Sequence, residues 1–216
     1  MDKVRVKIIT KKRQNVHLYI LCHSDKRFEE AKVAFADYSW AFPIRMKYQN
    51  CTFENAFWKQ LLEIKEEWSK CKMVGTLSSI AYKKIKLSEI DRILHTPSAW
   101  SSSGYYNFMN ADKPLTNDHP HLLKIIRDVC TSLQIQVPKS AWCNYWMCSP
   151  ARMEKFIEWY HGRLQPTVLA HPLAMTNSNY SGRLTKDELI TLCGTPYYPH
   201  VPFVIERLTK AFFSLA

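Results

Sequence analysis

Val16-His17-Leu18-Tyr19-Ile20-Leu21-Cys22 is a near-continuous apolar run that opens directly into the charged segment His23-Ser24-Asp25-Lys26-Arg27. A short apolar run bounded by polar residues is the signature of a central strand covered on both faces. Covering both faces takes helices on each side, which points to an α/β architecture with parallel strands. In open sheets of that kind, ligands bind beyond the carboxyl ends of the strands. His23 to Arg27 is therefore the first place where a site is expected.

Outward from this strand, the chain alternates between strand and helix patterns. Upstream, Val4, Val6 and Ile8 alternate with Arg5 and Lys7 as a half-exposed strand. Downstream, a helix is expected around 27–35 and a short strand over Ala41–Met46. Residues 53–68 read as the clearest helix, with Phe53, Phe57, Leu61, Ile64 and Trp68 on one stripe. Glu54 lies in its first turn, where a carboxylate is favoured. Lys72–Leu77 reads as a second buried strand, released into Ser78-Ser79-Ile80-Ala81-Tyr82-Lys83-Lys84. Ser88 to Asp91 reads as a capping box, with Asp in place of Glu, opening a helix through Leu94. Residues 96–119, rich in Ser, Gly, Pro, Asn and aromatics, read as a long loop, and Pro120 opens a helix through about Leu133.

Ala141-Trp142-Cys143-Asn144-Tyr145-Trp146-Met147-Cys148-Ser149-Pro150 reads as a further buried strand running into a helix. Its Asn144 must find hydrogen-bond partners among those apolar neighbours. Either the amide holds an adjacent loop or it points into a pocket. Ser149 and Pro150 open a helix that carries Met153, Ile157, Tyr160 and Leu164 on one face. Residues 165–184 read as loop, Thr185-Lys186-Asp187-Glu188 as a capping box, and Gly194 as the stop of that helix. A last amphipathic helix runs from Phe203 to about Leu215. The expectation is a single α/β domain over 1–216: a three-layer α/β/α, Rossmann-like sandwich around a mostly parallel sheet. Because the sequence ends directly on a helix, one domain of a longer polypeptide is the alternative expectation.

Composition narrows the function classes. The chain has 216 residues, enough for one well-buried core, and 46% hydrophobic residues with seven Trp exclude a disordered protein. Only five Gly are present, and no glycine-rich phosphate loop occurs. No apolar run is long enough for a membrane span, and the first residues lack an apolar signal core. Seven Cys without a Cys-x-x-Cys pair suggest reduced thiols in a cytoplasmic setting. The net charge of +11 favours an anionic partner. A nucleic-acid-binding or nuclease domain is the rival class, but no dense basic stripe supports it, so nucleic acid is not expected. The charge collects at strand exits instead, where Lys26, Arg27, Arg45, Lys83 and Lys84, with His200, would suit a diphosphate. Gly-x-Ser-x-Gly, His-Glu-x-x-His and Asp-x-Asp are all absent, and no metal ligands are announced locally.

Several segments together resemble the GT-A-like glycosyltransferases of bacterial capsular-polysaccharide clusters and of large DNA viruses of the chlorovirus type. Leu18–His23 is similar to the family's first strand, with Cys22-His23-Ser24 at its Thr-His-Lys-like turn. Pro43-Ile44-Arg45-Met46 resembles its Pro-Ile-Gln-Val element, and Phe53-Glu54-Asn55-Ala56-Phe57-Trp58 its Glu-bearing helix start. Val74-Gly75 followed by Tyr82-Lys83-Lys84 is similar to Val-Gly and a later His-Tyr-Arg-Arg, with lysines in place of both arginines. Asn144-Tyr145-Trp146-Met147 resembles Asn-Met-Phe-Ile-Met, and Pro202–Leu208 resembles Gly-Phe-Leu-x-Glu-Arg-Leu.

The resemblance implies a nucleotide-sugar donor, a UDP-sugar above all, and a carbohydrate or glycoprotein acceptor, in the cytoplasm (the host's, for a viral protein). It implies donor-side roles for His23, Lys26, Arg45, Tyr82, Lys83 and Lys84. It adds Glu54 to the donor side and places Asn144, His200, Glu206 and Arg207 near the sugar or the acceptor, while Glu54, Asp112 and Glu206 are the contenders for catalytic base. It leaves a Mn²⁺ or Mg²⁺ requirement open, because Asp-x-Asp is missing. A non-catalytic binding module on the same fold is the second alternative.

Overall fold

The computed structural model describes residues 15–100, 103–109, 118–139 and 144–214. Strands β1 (Val16–Cys22), β2 (Ala41–Arg45), β3 (Met73–Ser78), β4 (Tyr105–Asn107) and β5 (Trp146–Cys148) form one sheet in the order β2-β1-β3-β5-β4. β1 pairs in parallel with β2 and β3, whereas β5 pairs antiparallel with both β3 and β4. Four strands therefore point one way and β5 alone is reversed. A three-layer α/β fold is what results, with a mixed rather than uniformly parallel sheet.

Alternation along β1 builds both cores. Val16, Leu18, Ile20 and Cys22 face the layer of α1 (Asp25–Ala34) and α4 (Leu87–Leu94). Tyr19 and Leu21 face the larger layer. That layer holds α2 (Phe57–Glu63), α5 (Leu122–Leu133), α6 (Pro150–Trp159) and α9 (Val201–Ser214). Its centre is the stacked pair Trp58 and Trp146, centroids 5.2 Å apart at 30°, with Phe156 edge-on to both. Gly75 lets β5 approach β3: a Cβ there would stand 2.1 Å from the Trp146 carbonyl oxygen.

The structure redraws several expected boundaries. The helix expected over 53–68 is a 3₁₀ turn, Phe53–Ala56, followed by α2 and a short α3 (Lys65–Trp68). α4 starts at Leu87 with no side-chain cap, so the Ser88 capping box does not form. The expected loop 96–119 contains a 3₁₀ turn, Pro97–Ala99, and β4. The expected loop 165–184 begins as helix: a π turn, Tyr160–Leu164, leads into α7 (Gln165–Ala170). Pro166 explains that turn, since its ring and missing N–H conflict with an ordinary α turn before it. Other expectations hold. Thr185 caps α8 (Lys186–Cys193) in a reciprocal box with Glu188, and Gly194 ends α8 at φ 73°. The strand expected at Val4–Ile8 and the residues Ala141–Cys143 lie outside the described residues. No helix among the described residues is long and apolar enough to cross a membrane.

Candidate active site

Because β4 runs with β1, β2 and β3, four strands end on one rim, and the reversed β5 begins there. His23 follows β1, Arg45 ends β2, Ser78 ends β3, and Asn144 and Tyr145 precede β5. The rim is stitched across the sheet. The Ser79 N–H donates to the Leu21 carbonyl at 3.1 Å, the Phe108 N–H to Tyr145 at 2.8 Å, and Ser78 and Tyr145 share a hydroxyl–hydroxyl hydrogen bond.

Two carboxylates stand above this rim from distant parts of the chain. Glu54 comes from the 3₁₀ turn after β2, and Glu206 from α9, which packs against that turn. Both are half-buried. Neither makes a hydrogen bond or ion pair among the described residues. Burial pushes the Glu54 carboxyl up to about 7, aided by the negative charge of Glu206 and opposed by Lys84. Burial also raises Glu206, opposed by Arg207 and Lys84. Lys84 thus faces both carboxylates, and its ammonium lies 5.3 Å from the Tyr145 ring centroid. Two like charges in low dielectric are held apart in protonation, so at neutral pH the pair tends to retain a proton.

Asn144 joins the Glu54 turn to the sheet. Its Nδ2 donates to Asn55 Oδ1 at 2.9 Å, its carbonyl accepts from Thr76 Oγ1 at 2.8 Å, and Asn55 Nδ2 donates to the Thr52 carbonyl at 3.1 Å. Asn144 is 4% exposed, yet its Oδ1 has no partner. Of the two readings of this amide, the hydrogen bonds carry the first: it holds the adjacent loop, and its Oδ1 is enclosed by protein. The turn itself is strained. Phe53 adopts φ 51°, a left-handed conformation that bulky side chains avoid and that clusters at functional sites.

The remaining predicted residues divide. Lys83 sits beside Lys84, exposed on the turn after β3. Lys26 and His23 are exposed beyond β1, with burial and then Arg27 lowering the His23 imidazole below its usual range. Arg45 ends β2 on the rim but is held by Asp25 at 3.2 Å and lies over the Phe28 ring. Tyr82 turns to the α1 layer, edge-on to Phe35. His200 is not at a strand end, contrary to expectation. It is fully buried before α9, its ring nitrogens facing the carbonyls of Thr176 (3.0 Å) and Pro120. Arg207 bonds Asp118 Oδ2 at 3.1 Å and the Phe203 carbonyl at 3.0 Å, which makes it a tie between segments. Asp112 lies outside the described residues. Asn55 and Tyr145 were not anticipated; the signal available was their adjacency to Glu54 and Asn144.

Among the described residues, no group of three His, Cys, Asp or Glu side chains stands together to ligate a metal ion. A search of protein-family models, curated proteins and solved structures gives no match for the chain.

Proposed function

We propose that this chain is a glycosyltransferase that moves a sugar from a nucleotide-diphosphate donor, a UDP-sugar, to a hydroxyl of a carbohydrate or glycoprotein. One observation carries the reading: Glu54, with its carboxyl pushed up to about 7, stands with Glu206 and Lys84 where the strands end. A carboxylate poised near neutrality is matched to taking a proton from a sugar hydroxyl. In a single displacement Glu54 accepts that proton while the acceptor oxygen bonds the anomeric carbon. The bond to the diphosphate breaks, and the diphosphate leaves with the electron pair. Lys84 and Lys83 offset the charge that develops on it. Glu206 keeps Glu54 basic enough to act, and Asn144 holds the turn that carries Glu54 through its bond to Asn55.

Isothermal titration of the whole chain with UDP and UDP-sugars, alone, with Mn²⁺ or Mg²⁺, and with EDTA, tests donor binding. Release of UDP from the bound sugar by water or an added glycan tests the chemistry. Binding without any UDP release, across a broad donor and acceptor panel, supports a binding module instead. No nucleotide binding under any of these conditions sinks the reading.

A further inference from the structure

Beside the two carboxylates stands a group of aromatic rings that the transfer step leaves unused. Phe53 precedes Glu54, and Phe203 lies one helical turn before Glu206. Tyr198 stacks on Phe53 with centroids 5.5 Å apart at 23°. Tyr180 meets Tyr198 edge to face at 5.1 Å and Phe203 at 5.2 Å, and His119 lies 4.1 Å from Phe203. None of these rings is fully buried, although Phe203 packs against the larger core. Tyr180 is 48% exposed, and Phe53, Tyr198, Phe203 and His119 are half-buried.

The loop that carries Tyr180 is fastened rather than loose. The Ser178 N–H and Oγ both donate to the Tyr198 carbonyl, at 3.0 and 2.8 Å, and Asn177 bridges to Pro199. His119 Nδ1 approaches the Ser178 carbonyl at 3.0 Å, and the Leu184 N–H donates to the Tyr198 hydroxyl at 3.0 Å. Gly182 closes over Tyr198: a Cβ there would fall 2.2 Å from its ring. Half-exposed rings fixed in advance lose little further freedom when a ligand lies on them.

We propose that Tyr180, backed by the packed rings of Phe53, Tyr198 and Phe203, forms the acceptor platform, seating the apolar face of a pyranose so that one of its hydroxyls meets Glu54. The inference rests on the transferase reading. Two points select this occupant. Lys83 and Lys84 belong to the exit of β3, so a donor diphosphate approaches the carboxylates from the sheet side. The rings belong to other segments, the Glu54 turn, residues 180–198 and α9, and remain for the second substrate. A pyranose also matches the surface, since its C–H face suits electron-rich ring faces and its hydroxyls suit the neighbouring carboxylates.

Saturation-transfer NMR on the full chain reads this without turnover, using methyl glucoside, galactoside and mannoside, with uridine as the contrasting probe. At least one pyranoside is expected to receive saturation on its ring C–H protons. Its Kd should weaken about tenfold in Tyr180→Ala, the scale of one ring contact, and change little in Tyr180→Phe. Contacts from the Tyr180 ring protons to the sugar C–H protons in the unaltered chain give the same answer if the variant misfolds. The proposal is overturned if no pyranoside binds, if Tyr180→Ala binds it unchanged, or if uridine occupies the rings instead. Donor binding and UDP release, measured on the same sample, are separate readouts. Sugar binding with no donor binding keeps the platform as a glycan site and sinks the transferase.

Discussion

At the scale of single residues, Glu54 has a raised carboxyl, and that fixes the direction of its pH dependence. Between the ordinary carboxylate range and about 7, the folded chain holds a proton that the unfolded chain has released. Stability therefore falls as pH rises through that window. Glu54→Gln, which carries no charge, should melt higher than the parent at pH 8, by about 1–3 kcal/mol once partial solvent contact is allowed for. The same change should lower transfer by about 10²–10⁴-fold. Transfer by the parent should rise with pH to a plateau, with its midpoint near 7. Glu206→Gln removes the neighbouring negative charge, so that midpoint should move to lower pH; an unmoved midpoint would mean the carboxylates are not coupled. Asn144→Ala strands the buried side-chain Oδ1 of Asn55 without its donor, at about 1–3 kcal/mol. Assayed where it is still folded, it should lose about tenfold or more of its activity, because the Glu54 turn is no longer held. Full activity would return Asn144 to a packing role. The sequence makes Glu54, Glu206 and Asn144 visible as polar residues among apolar ones. It cannot show that Arg207 is claimed by Asp118, or that both His200 nitrogens are occupied, because those partners come from distant segments.

At the scale of elements, the apolar runs of β1 and β3, the helix stop at Gly194 and the helix start at Pro150 follow from local chemistry, and the structure repeats them. β4 was hidden because three residues, Tyr105–Asn107, are too few to display alternation. The break at Ile64 was hidden because the apolar stripe continues across it: Phe57, Leu61 and Trp68 are buried on either side. The direction of β5 is written in no local pattern; Gly75 is its nearest trace. Gly75→Ala should force β3 and β5 apart, since the new methyl meets backbone rather than a movable side chain. A loss of about 3 kcal/mol or more in chemical denaturation is expected, at or beyond the upper end for overpacked cores. A loss below about 1 kcal/mol would show that β5 can shift without harm.

Across the whole molecule, the site is assembled from the turn after β2, the exit of β3, the approach to β5 and the last helix. No short fragment contains it, so no local motif announces it. Such a site forms only in the folded chain, so donor binding should raise Tm. At a hundred times Kd the gain is about 2.7 kcal/mol. For a chain of this size that is a rise of about 5–10 °C in differential scanning calorimetry. A rise for inorganic diphosphate equal to that for UDP would reduce the interaction to charge alone. The stacked Trp58 and Trp146 give the molecule one more property. Trp58 follows the Glu54 turn, and Trp146 follows Asn144. Two indoles at that separation couple their electronic transitions, so the protein carries an intrinsic exciton signal in far-ultraviolet circular dichroism. Any event that shifts the Glu54 turn against β5 alters the couplet, which makes the seating of the site optically readable without a label.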